Sequence, residues 1–249
     1  MGMIIYEGPS RLDKNPIVVI ATKKSNNSKT GNMIQTWIIR SDIKPSEAIQ
    51  QGLDSTVCGD CPSRPIMKKL DKGPGDCYVT MMAPAAIYKT YKENRYTKAL
   101  LNSEISSFAK GRVVRLGAYG DPAAVPVKVW KALLAEASGY TGYTHQWENK
   151  VAKDLKPLCM ASCDSFEDWG KATAQGWRTF RVVRDTATIG KREFRCPSDP
   201  LLATAIPCAK CKACDGADIN KPLKGSPYIV AHGYRSKKVQ RRTAKLMVL

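Results

Sequence analysis

The sequence predicts an α/β fold, a complete or partial TIM-type (βα) barrel, with an open α/β sheet as the alternative. Short β-branched and aromatic runs alternate with helical segments or long loops, which is typical of βα units around a parallel sheet. Polar residues follow these runs, and in α/β barrels the loops after the strands gather at one rim. With 43% hydrophobic residues among 249, the chain can bury a substantial core.

Strands and helices are expected in alternation from residue 33 onward. Residues 22–33 are small and polar without an apolar period, and they predict a loop. Residues 44–51 carry proline near the first turn, as helices often do. Strand-like segments lie at 33–40, 77–80, 113–118, 142–147, 158–162, 177–183, 192–196 and 228–231, and helical segments at 44–51, 85–91, 127–137 and 166–175.

Three regions follow from this order. Residues 1–48 form an N-terminal strand and loop region. Residues 49–233 form the barrel-like domain, which carries the candidate catalytic residues and a cysteine-rich loop at 196–216. Residues 234–249 form a basic C-terminal arm with an apolar tip.

Polar or reactive groups stand where six strand-like runs pass into their loops. These groups are Gly120-Asp121-Pro122, His145-Gln146-Trp147, Cys163-Asp164-Ser165, Arg184-Asp185, Pro197-Ser198-Asp199 and His232-Gly233. Helix capping by aspartate explains any single one of these sites. Because the pattern recurs at six strand ends, it favours a reactive rim.

Seven of the nine cysteines fall into two groups. We call Cys58, Cys61 and Cys77 the cysteine trio, and Cys196, Cys208, Cys211 and Cys214 the cysteine quartet. In the quartet, the last three sulfurs are each three residues apart, so one tight loop can turn them toward one point, and a single disulfide cannot use all three. Thiolates at this spacing suit a tetrahedral zinc or a cubane iron–sulfur cluster. The loops that carry the cysteine trio and the cysteine quartet are therefore expected to bind metal.

The trio has the spacing C-x2-C-x15-C, with glycine and proline in the long loop. Three thiolates with one open coordination position suit a substrate-binding [4Fe–4S] cluster, and a fourth ligand would close a zinc site. His232 is a further candidate metal ligand. Cys159 and Cys163 are expected to be buried thiols, because they are too far apart along a strand to share a metal.

The net charge of +18 favours a polyanionic partner, DNA or RNA, and a solvated basic surface is the alternative. The candidate contacts are Arg64, Lys68, Lys69 and Lys72 near the trio, and Arg235, Lys237, Lys238, Arg241, Arg242 and Lys245 in the arm. No signal peptide and no run of about 18 apolar residues is found, so we expect a cytoplasmic protein without a membrane partner. In that compartment clustered cysteines are metal ligands or catalytic thiols more often than disulfides.

Cys77-Tyr78 follows cysteine-containing turns, and it is followed by Arg115-Leu-Gly-Ala-Tyr-Gly-Asp-Pro122 and by a later basic strand. In these segments, over residues 50–185, the chain resembles the small phage-associated radical S-adenosylmethionine proteins. The family's cluster loop is C-x3-C-x2-C, which differs from the spacing of the trio. The whole chain is also similar to an uncharacterised group of phage and prophage proteins with Gly-Asp-Cys-Pro, Gly-Tyr-Thr-His-Gln-Trp and Gly-Trp-Arg-Thr-Phe-Arg segments. A phage origin would place the protein in the host cytoplasm.

This resemblance implies a radical mechanism. The trio would hold an iron–sulfur cluster that binds S-adenosylmethionine, and the quartet would hold an auxiliary cluster or a structural zinc. Asp121, His145 and Asp164 would face the reacting group, and the product would be a modified base or nucleotide.

Two alternatives stay open. A barrel with a late zinc loop resembles tRNA-guanine transglycosylases and the related phage enzymes that exchange guanine in DNA; Cys208, Cys211, Cys214 and His232 would then bind zinc, with Asp121 and Asp164 as nucleophile and acid–base. Alternatively, the protein is a non-enzymatic, zinc-stabilised nucleic-acid binder. No P-loop and no Gly-x-Ser-x-Gly elbow is present.

Overall fold

The computed structural model describes residues 2–23, 30–73, 75–183, 188–218 and 224–232. The strands are β1 (Gly2–Pro9), β2 (Pro16–Thr22), β3 (Ile34–Arg40), β4 (Thr97–Lys98), β5 (Val113–Tyr119), β6 (Gly139–Thr141), β7 (Tyr143–Thr144), β8 (Met160–Cys163), β9 (Thr179–Val183), β10 (Glu193–Arg195) and β11 (Ser226–Val230). The α-helices are α1 (Pro45–Gln50), α2 (Ser55–Cys58), α3 (Pro65–Lys69), α4 (Met82–Lys92), α5 (Asn102–Ala109), α6 (Val127–Leu134), α7 (Phe166–Ala174) and α8 (Cys208–Cys211), and Pro122–Ala124 and Lys150–Leu155 are 3-10 helices.

The first sheet is mixed and has six strands in the order β4-β1-β2-β3-β5-β6. Strands β1, β2 and β3 pair antiparallel, whereas β3, β5 and β6 pair parallel. Strand β2 is fully buried from Ile17 to Ala21, because the sheet is covered on both faces there. This sheet includes strands from both sides of residue 48.

The second sheet is entirely parallel and has five strands in the order β10-β11-β9-β8-β7. One chain segment passes from the first sheet into the second, since only Gly142 separates β6 from β7. Gly142 donates its N–H to the carbonyl of Cys214 at 3.0 Å, and its own carbonyl accepts from Met160 at 2.9 Å. The junction of the sheets thus also anchors the quartet loop.

The expected α/β class is confirmed, but a complete TIM barrel is wrong for the described residues. Their strands form two sheets, and no closed ring is found among them. Local patterns do not distinguish the two architectures, because closure depends on how strands tilt and stagger across the whole sheet. No helix in the described ranges is both long and apolar enough to cross a membrane.

Most of the expected elements after residue 33 are present, with ends shifted by a few residues. One expected strand is wrong: residues 77–80 have no regular structure, and the backbone of Cys77 bonds to Ser63 instead of to a sheet. The N-terminal strands β1 and β2 and the helix α5 were not identified from the pattern. Half of the expected loop at 22–33, residues 24–29, lies outside the described residues.

Alanine should have opposite effects on stability at Gly142, in the sheet junction, and at Gly170, in α7. A Cβ at Gly142 would meet the sulfur of Cys159 and the carbonyl of Leu158, both at 2.9 Å, whereas a Cβ at Gly170 in α7 meets nothing within 4 Å. We expect Gly142→Ala to lower the free energy of unfolding by about 1–3 kcal/mol through overpacking. Gly170→Ala should raise it by about 0.5–1 kcal/mol, because alanine favours the helix. Urea unfolding measures both, and a Gly142→Ala variant that is as stable as the unaltered protein contradicts this role of Gly142.

Candidate functional site

The polar groups at the strand ends gather at one edge of the structure. Asp121 follows β5, His145 follows β7 and Asp164 follows β8, and these strands run parallel within their sheets. The carboxyl ends of parallel strands meet at the same edge, where α/β proteins place their ligands. Arg184, Asp185 and Gly233 lie outside the described residues, while His232 follows β11.

The long loop of the trio folds back on itself. Cys58 is the last residue of α2, and the N–H of Cys61 donates to its carbonyl at 3.3 Å. The chain then passes through α3 and returns, so that the N–H of Cys77 donates to the carbonyl of Ser63 at 2.8 Å. Cys77 therefore lies beside the chain only two residues beyond Cys61. The fifteen-residue spacing is an excursion that returns the backbone of Cys77 to the turn that follows Cys61.

The three thiols are close enough to affect one another electrostatically. Burial raises the pKa of the Cys58 thiol well above its usual range, and the neighbouring Cys61, Asp54 and Cys77 raise it further. These anionic neighbours disfavour a bare thiolate. A bound cation would reverse this effect, because a coordinating thiol is deprotonated by its metal.

Arg64 holds the turns on both sides of α2. Its guanidinium forms an ion pair with Asp54 at 2.7 Å and donates to the carbonyls of Gly52 at 2.6 Å and Gly59 at 2.9 Å. Both charged side chains are buried, at 8% and 3% exposure. The expectation that Arg64 contacts nucleic acid at the surface is therefore wrong, because its charge is already held inside the protein. Sequence reasoning missed this role, since an arginine beside a Cys-Pro turn looks like a surface cation.

The remaining basic candidates have different positions. Lys68, Lys69 and Lys72 are exposed on α3 and the turn after it. Their placement leaves the predicted nucleic-acid contacts untested. The candidates of the arm, Arg235, Lys237, Lys238, Arg241, Arg242 and Lys245, lie outside the described residues.

Gln146 clamps the first turn of the trio and was also missed as a site residue. Its side chain donates to the carbonyl of Cys58 at 3.1 Å and accepts from the N–H of Asp60 at 3.4 Å. Gly59 between them has φ +56°, and a Cβ there would lie 2.4 Å from the Gln146 amide. Only glycine fits this turn, because both the backbone conformation and the close approach exclude a side chain.

Asp121 connects the ends of two strands. One carboxylate oxygen accepts from the N–H of Ala123 at 2.9 Å and from the hydroxyl of Thr144 at 2.7 Å. The other accepts from the N–H of His145 at 2.8 Å. Burial raises the pKa of Asp121, and these hydrogen bonds oppose the rise. With both oxygens engaged, Asp121 acts as a cap that positions His145 and not as an open nucleophile.

His145 and Asp164 face a cleft beside the trio. The Nε2 atom of His145 lies 3.9 Å from the carboxylate of Asp164, and both side chains are about a quarter exposed, at 29% and 24%. Burial lowers the pKa of His145, but the adjacent Cys61 and the two aspartates outweigh it and raise the pKa to about 9. The cleft has a volume of about 250 Å³, and its further polar lining consists of Asp60, Gln146, Glu148, Asn149, Ser162 and Asp168.

The quartet also gathers in space. Burial raises the pKa of Cys214 to about 12; Tyr143 opposes this with a hydrogen bond, and the charges of Cys196, Cys208 and Cys211 add to the rise. Cys208 donates to the hydroxyl of Ser198 at 3.4 Å. His232 instead places its Nδ1 atom 2.7 Å from the carbonyl of Val230. Cys196 is the fourth cysteine beside the loop that carries Cys208, Cys211 and Cys214.

A second buried arginine holds the quartet loop. Arg178 donates to the carbonyls of Ala213 at 2.8 Å and Asp215 at 2.6 Å, which flank Cys214 on either side. It also donates to Gly225 at 2.6 Å and forms an ion pair with Asp215. Arg178 thus fixes the backbone of the quartet as Arg64 fixes that of the trio.

Within the described ranges, no group of three or more His, Cys, Asp or Glu side chains is arranged to hold a metal ion. The donor chemistry nevertheless fits one. None of the nine cysteines, all of which are described, forms a disulfide. The Nε–H of Arg64 is buried without a hydrogen-bond partner, and its guanidinium interacts electrostatically with Cys58 and Cys61. A sulfur-rich anionic group at the trio would supply an acceptor and a charge partner for this donor.

Cys159 and Cys163 are buried, at 0% and 3% exposure, as expected. Burial raises the pKa of both thiols. Comparison of the chain with protein-family models, with curated proteins and with solved structures finds no match.

The burial of Arg64 predicts a large stability effect where a surface contact would have none. Arg64→Gln leaves the Asp54 carboxylate buried without its cation, so the free energy of unfolding should fall by about 3–5 kcal/mol. Arg64→Lys keeps the charge but not the forked geometry, so an intermediate loss is expected. The control Lys68→Gln, an exposed position in the helix α3 that follows Arg64, should change it by less than about 0.5 kcal/mol. Urea unfolding of the three variants checks this, and equal stability of Arg64→Gln and Lys68→Gln contradicts the buried role.

Proposed function

We propose that the chain is a cysteine-ligated metalloenzyme that modifies a base or nucleotide of DNA or RNA by a radical S-adenosylmethionine-like mechanism. The observation that carries this proposal is the return of Cys77 to the turn of Cys58 and Cys61, beside a polar cleft at the carboxyl edge of the parallel strands. Three thiols supply three ligands, which leaves one iron of a [4Fe–4S] cluster open to a small molecule.

The strand order supports an incomplete βα barrel as the finer description of the fold. Parallel pairing runs from β3 through β5 to β6, and it continues beyond Gly142 through β7, β8, β9 and β11 to β10. In such an arrangement, loops from several strands meet at one rim, as the trio and the three polar residues do here.

Cys58, Cys61 and Cys77 would hold the cluster. When bound, such a cluster would supply the one-electron reductive cleavage of S-adenosylmethionine to methionine and a 5′-deoxyadenosyl radical, with the electron coming from an external reductant. Arg64 would offset the negative charge of the thiolates from the protein side, and its buried Nε–H, which has no hydrogen-bond partner, would be available to an acceptor at the trio. Gln146 and Gly59 keep the turn closed.

The polar residues of the cleft would act on the substrate. Asp121 orients His145 through its backbone N–H, and the His145 imidazole stands between Cys61 and Asp164. Asp164 can therefore accept or return a proton at the reacting nucleotide, with His145 as its neighbour. The cleft of about 250 Å³ is smaller than the roughly 300–1,000 Å³ of typical ligand pockets. It accommodates only part of a nucleotide, so the rest of a nucleic acid would lie on the surface.

The quartet would bind an auxiliary iron–sulfur cluster or a structural zinc. Four sulfur ligands close a tetrahedral site and leave no position for substrate. The bond from Gly142 to Cys214 supports a structural role at the junction of the two sheets. The net charge of +18 and the exposed Lys68, Lys69 and Lys72 support a nucleic-acid partner, and cysteines without disulfides agree with a reducing, cytoplasmic location.

The identity of the bound metal distinguishes this function from two alternatives. Base exchange on DNA or tRNA needs a zinc and an accessible carboxylate nucleophile, and the three hydrogen bonds to Asp121 oppose that role. A non-enzymatic binder would hold zinc in both cysteine groups. Zinc in the trio of the purified protein would therefore favour one of these alternatives.

Removal of single thiols tests the proposed cluster. After anaerobic reconstitution, Cys58→Ala, Cys61→Ala and Cys77→Ala should each lose about four irons per chain relative to the unaltered protein. Cys163→Ala, which removes a buried thiol outside both groups, should keep the full iron content. Iron and sulfide analysis checks this, and an iron content that no trio variant lowers would exclude a trio-bound cluster.

Replacement of Asp164 should lower activity, whereas replacement of Asp121 should lower stability. Asp164→Asn should lower base modification by about 10²–10⁴-fold at unchanged iron content, because the carboxylate that faces His145 and exchanges the proton in this proposal is lost. Asp121→Asn should instead lower the free energy of unfolding by about 1–3 kcal/mol, because an amide cannot accept all three of its hydrogen bonds. Nucleoside mass spectrometry and urea unfolding separate the effects. Full activity of Asp164→Asn would remove it from the mechanism.

A further inference from the structure

A second cleft, with a volume of about 520 Å³, lies between α1 and α4. Three lysines line it, Lys44 before α1 and Lys89 and Lys92 in the last turn of α4. All three side chains are exposed to solvent. The only acidic residue of the lining is Glu93. The cleft is therefore the larger of the two described here, and its mostly apolar walls carry an excess of lysines over acidic residues.

Two of the three lysines have an acidic neighbour, and each of these pairs is long. The Nζ atom of Lys44 lies 3.5 Å from Glu47, and that of Lys89 lies 3.9 Å from Glu93. Glu93 is held more closely by Arg95, at 2.6 Å. Exposed pairs at these distances contribute little energy and exchange readily for a stronger anion.

The cleft has a rigid wall. Tyr88 is 8% exposed and anchors α4 in the core, and its ring lies 5.9 Å from the ammonium of Lys92. The ring of Tyr91 lies at the same distance from that ammonium. Both contacts hold Lys92 against aromatic faces at the helix end. Lysines placed on a fixed helix bind an anion at a lower cost in conformational entropy than lysines on a loop.

The same two helices flank the trio along the chain. Helix α4 begins at Met82, five residues after Cys77, and α1 is followed by α2, which ends at Cys58. The 11 residues of α4 span about 16 Å at 1.5 Å per residue. Lys89 and Lys92 lie in the last turn of α4, at the end of the helix that is farther along the chain from Cys77.

We infer that the cleft between α1 and α4 binds the phosphodiester backbone of a single nucleic-acid strand through Lys44, Lys89 and Lys92. The inference rests on the proposed nucleic-acid substrate and gives it a path outside the small cleft at Asp164. Lysine ammoniums contact phosphates without reading bases, so the cleft positions the strand and does not select a sequence. The lysines of this cleft are not among the basic residues of α3 and of the C-terminal arm that the sequence indicated as nucleic-acid contacts.

The test compares two triple variants that remove the same charge. In the first, Lys44→Gln, Lys89→Gln and Lys92→Gln neutralise the cleft. In the control, Lys128→Gln, Lys131→Gln and Lys153→Gln neutralise three exposed lysines of α6 and the 3-10 helix Lys150–Leu155. The probe is a short labelled single strand, titrated between about 50 and 200 mM salt.

The cleft variant should lower the slope of log Kobs against log salt by about 2, since each lost phosphate contact accounts for about 0.7 in single strands. The control should change this slope by less than half of that amount. Equal slopes for the two variants, or an unchanged slope in the cleft variant, would overturn the inference.

A competition arm separates a nucleic-acid strand from free phosphate. An unlabelled oligonucleotide should displace the probe at a far lower phosphate concentration than inorganic phosphate does, and equal potency per phosphate group would overturn the backbone assignment. Iron content and S-adenosylmethionine cleavage are measured on the same proteins. If the unaltered protein lacks both, the proposed enzyme fails while the slope comparison still decides the cleft.

Discussion

Both cysteine groups depend on a buried arginine that donates hydrogen bonds to the backbone carbonyls of the surrounding loop. Arg64 bonds to Gly52 and Gly59 on either side of α2 while it pairs with Asp54. Arg178 bonds to the carbonyls that flank Cys214. Loops rich in glycine, proline and cysteine have few regular hydrogen bonds of their own, and buried carbonyls need partners. One planar guanidinium with five donors meets that need, so these loops can be compact without a sheet or a long helix.

The second constraint is the edge at which the strands end. Asp121 takes hydrogen bonds from Thr144 and His145, and its own N–H donates to Val57 in α2 at 2.6 Å. The loop after β5 therefore fixes both the strand end at β7 and the helix that carries Cys58. At the other group, Gly142 joins the two sheets and bonds to Cys214. The trio thus lies at the polar edge, beside a cleft, while the quartet lies against the sheet junction, which agrees with a reactive and a structural role.

Sequence patterns were sufficient for elements that depend on local composition. The β-branched run of β5 and the amphipathic α6 have the expected type, and Asp121, His145 and Asp164 do follow strands, because period and capping are local properties. Long-range features were not accessible. The return of Cys77 to Ser63, the burial of Arg64 and the close contact of Gln146 with Gly59 each depend on segments distant in the chain. The closed barrel failed for the same reason, since closure is a property of all strands together.

The central claim is that the trio forms an open iron site. Its most direct test is the electron paramagnetic resonance spectrum of the anaerobically reconstituted, reduced protein, recorded with and without S-adenosylmethionine. We expect a [4Fe–4S] signal that changes on addition of S-adenosylmethionine, accompanied by formation of 5′-deoxyadenosine and methionine. A signal that S-adenosylmethionine leaves unchanged, or a protein that binds zinc and no iron at the trio, would contradict the account.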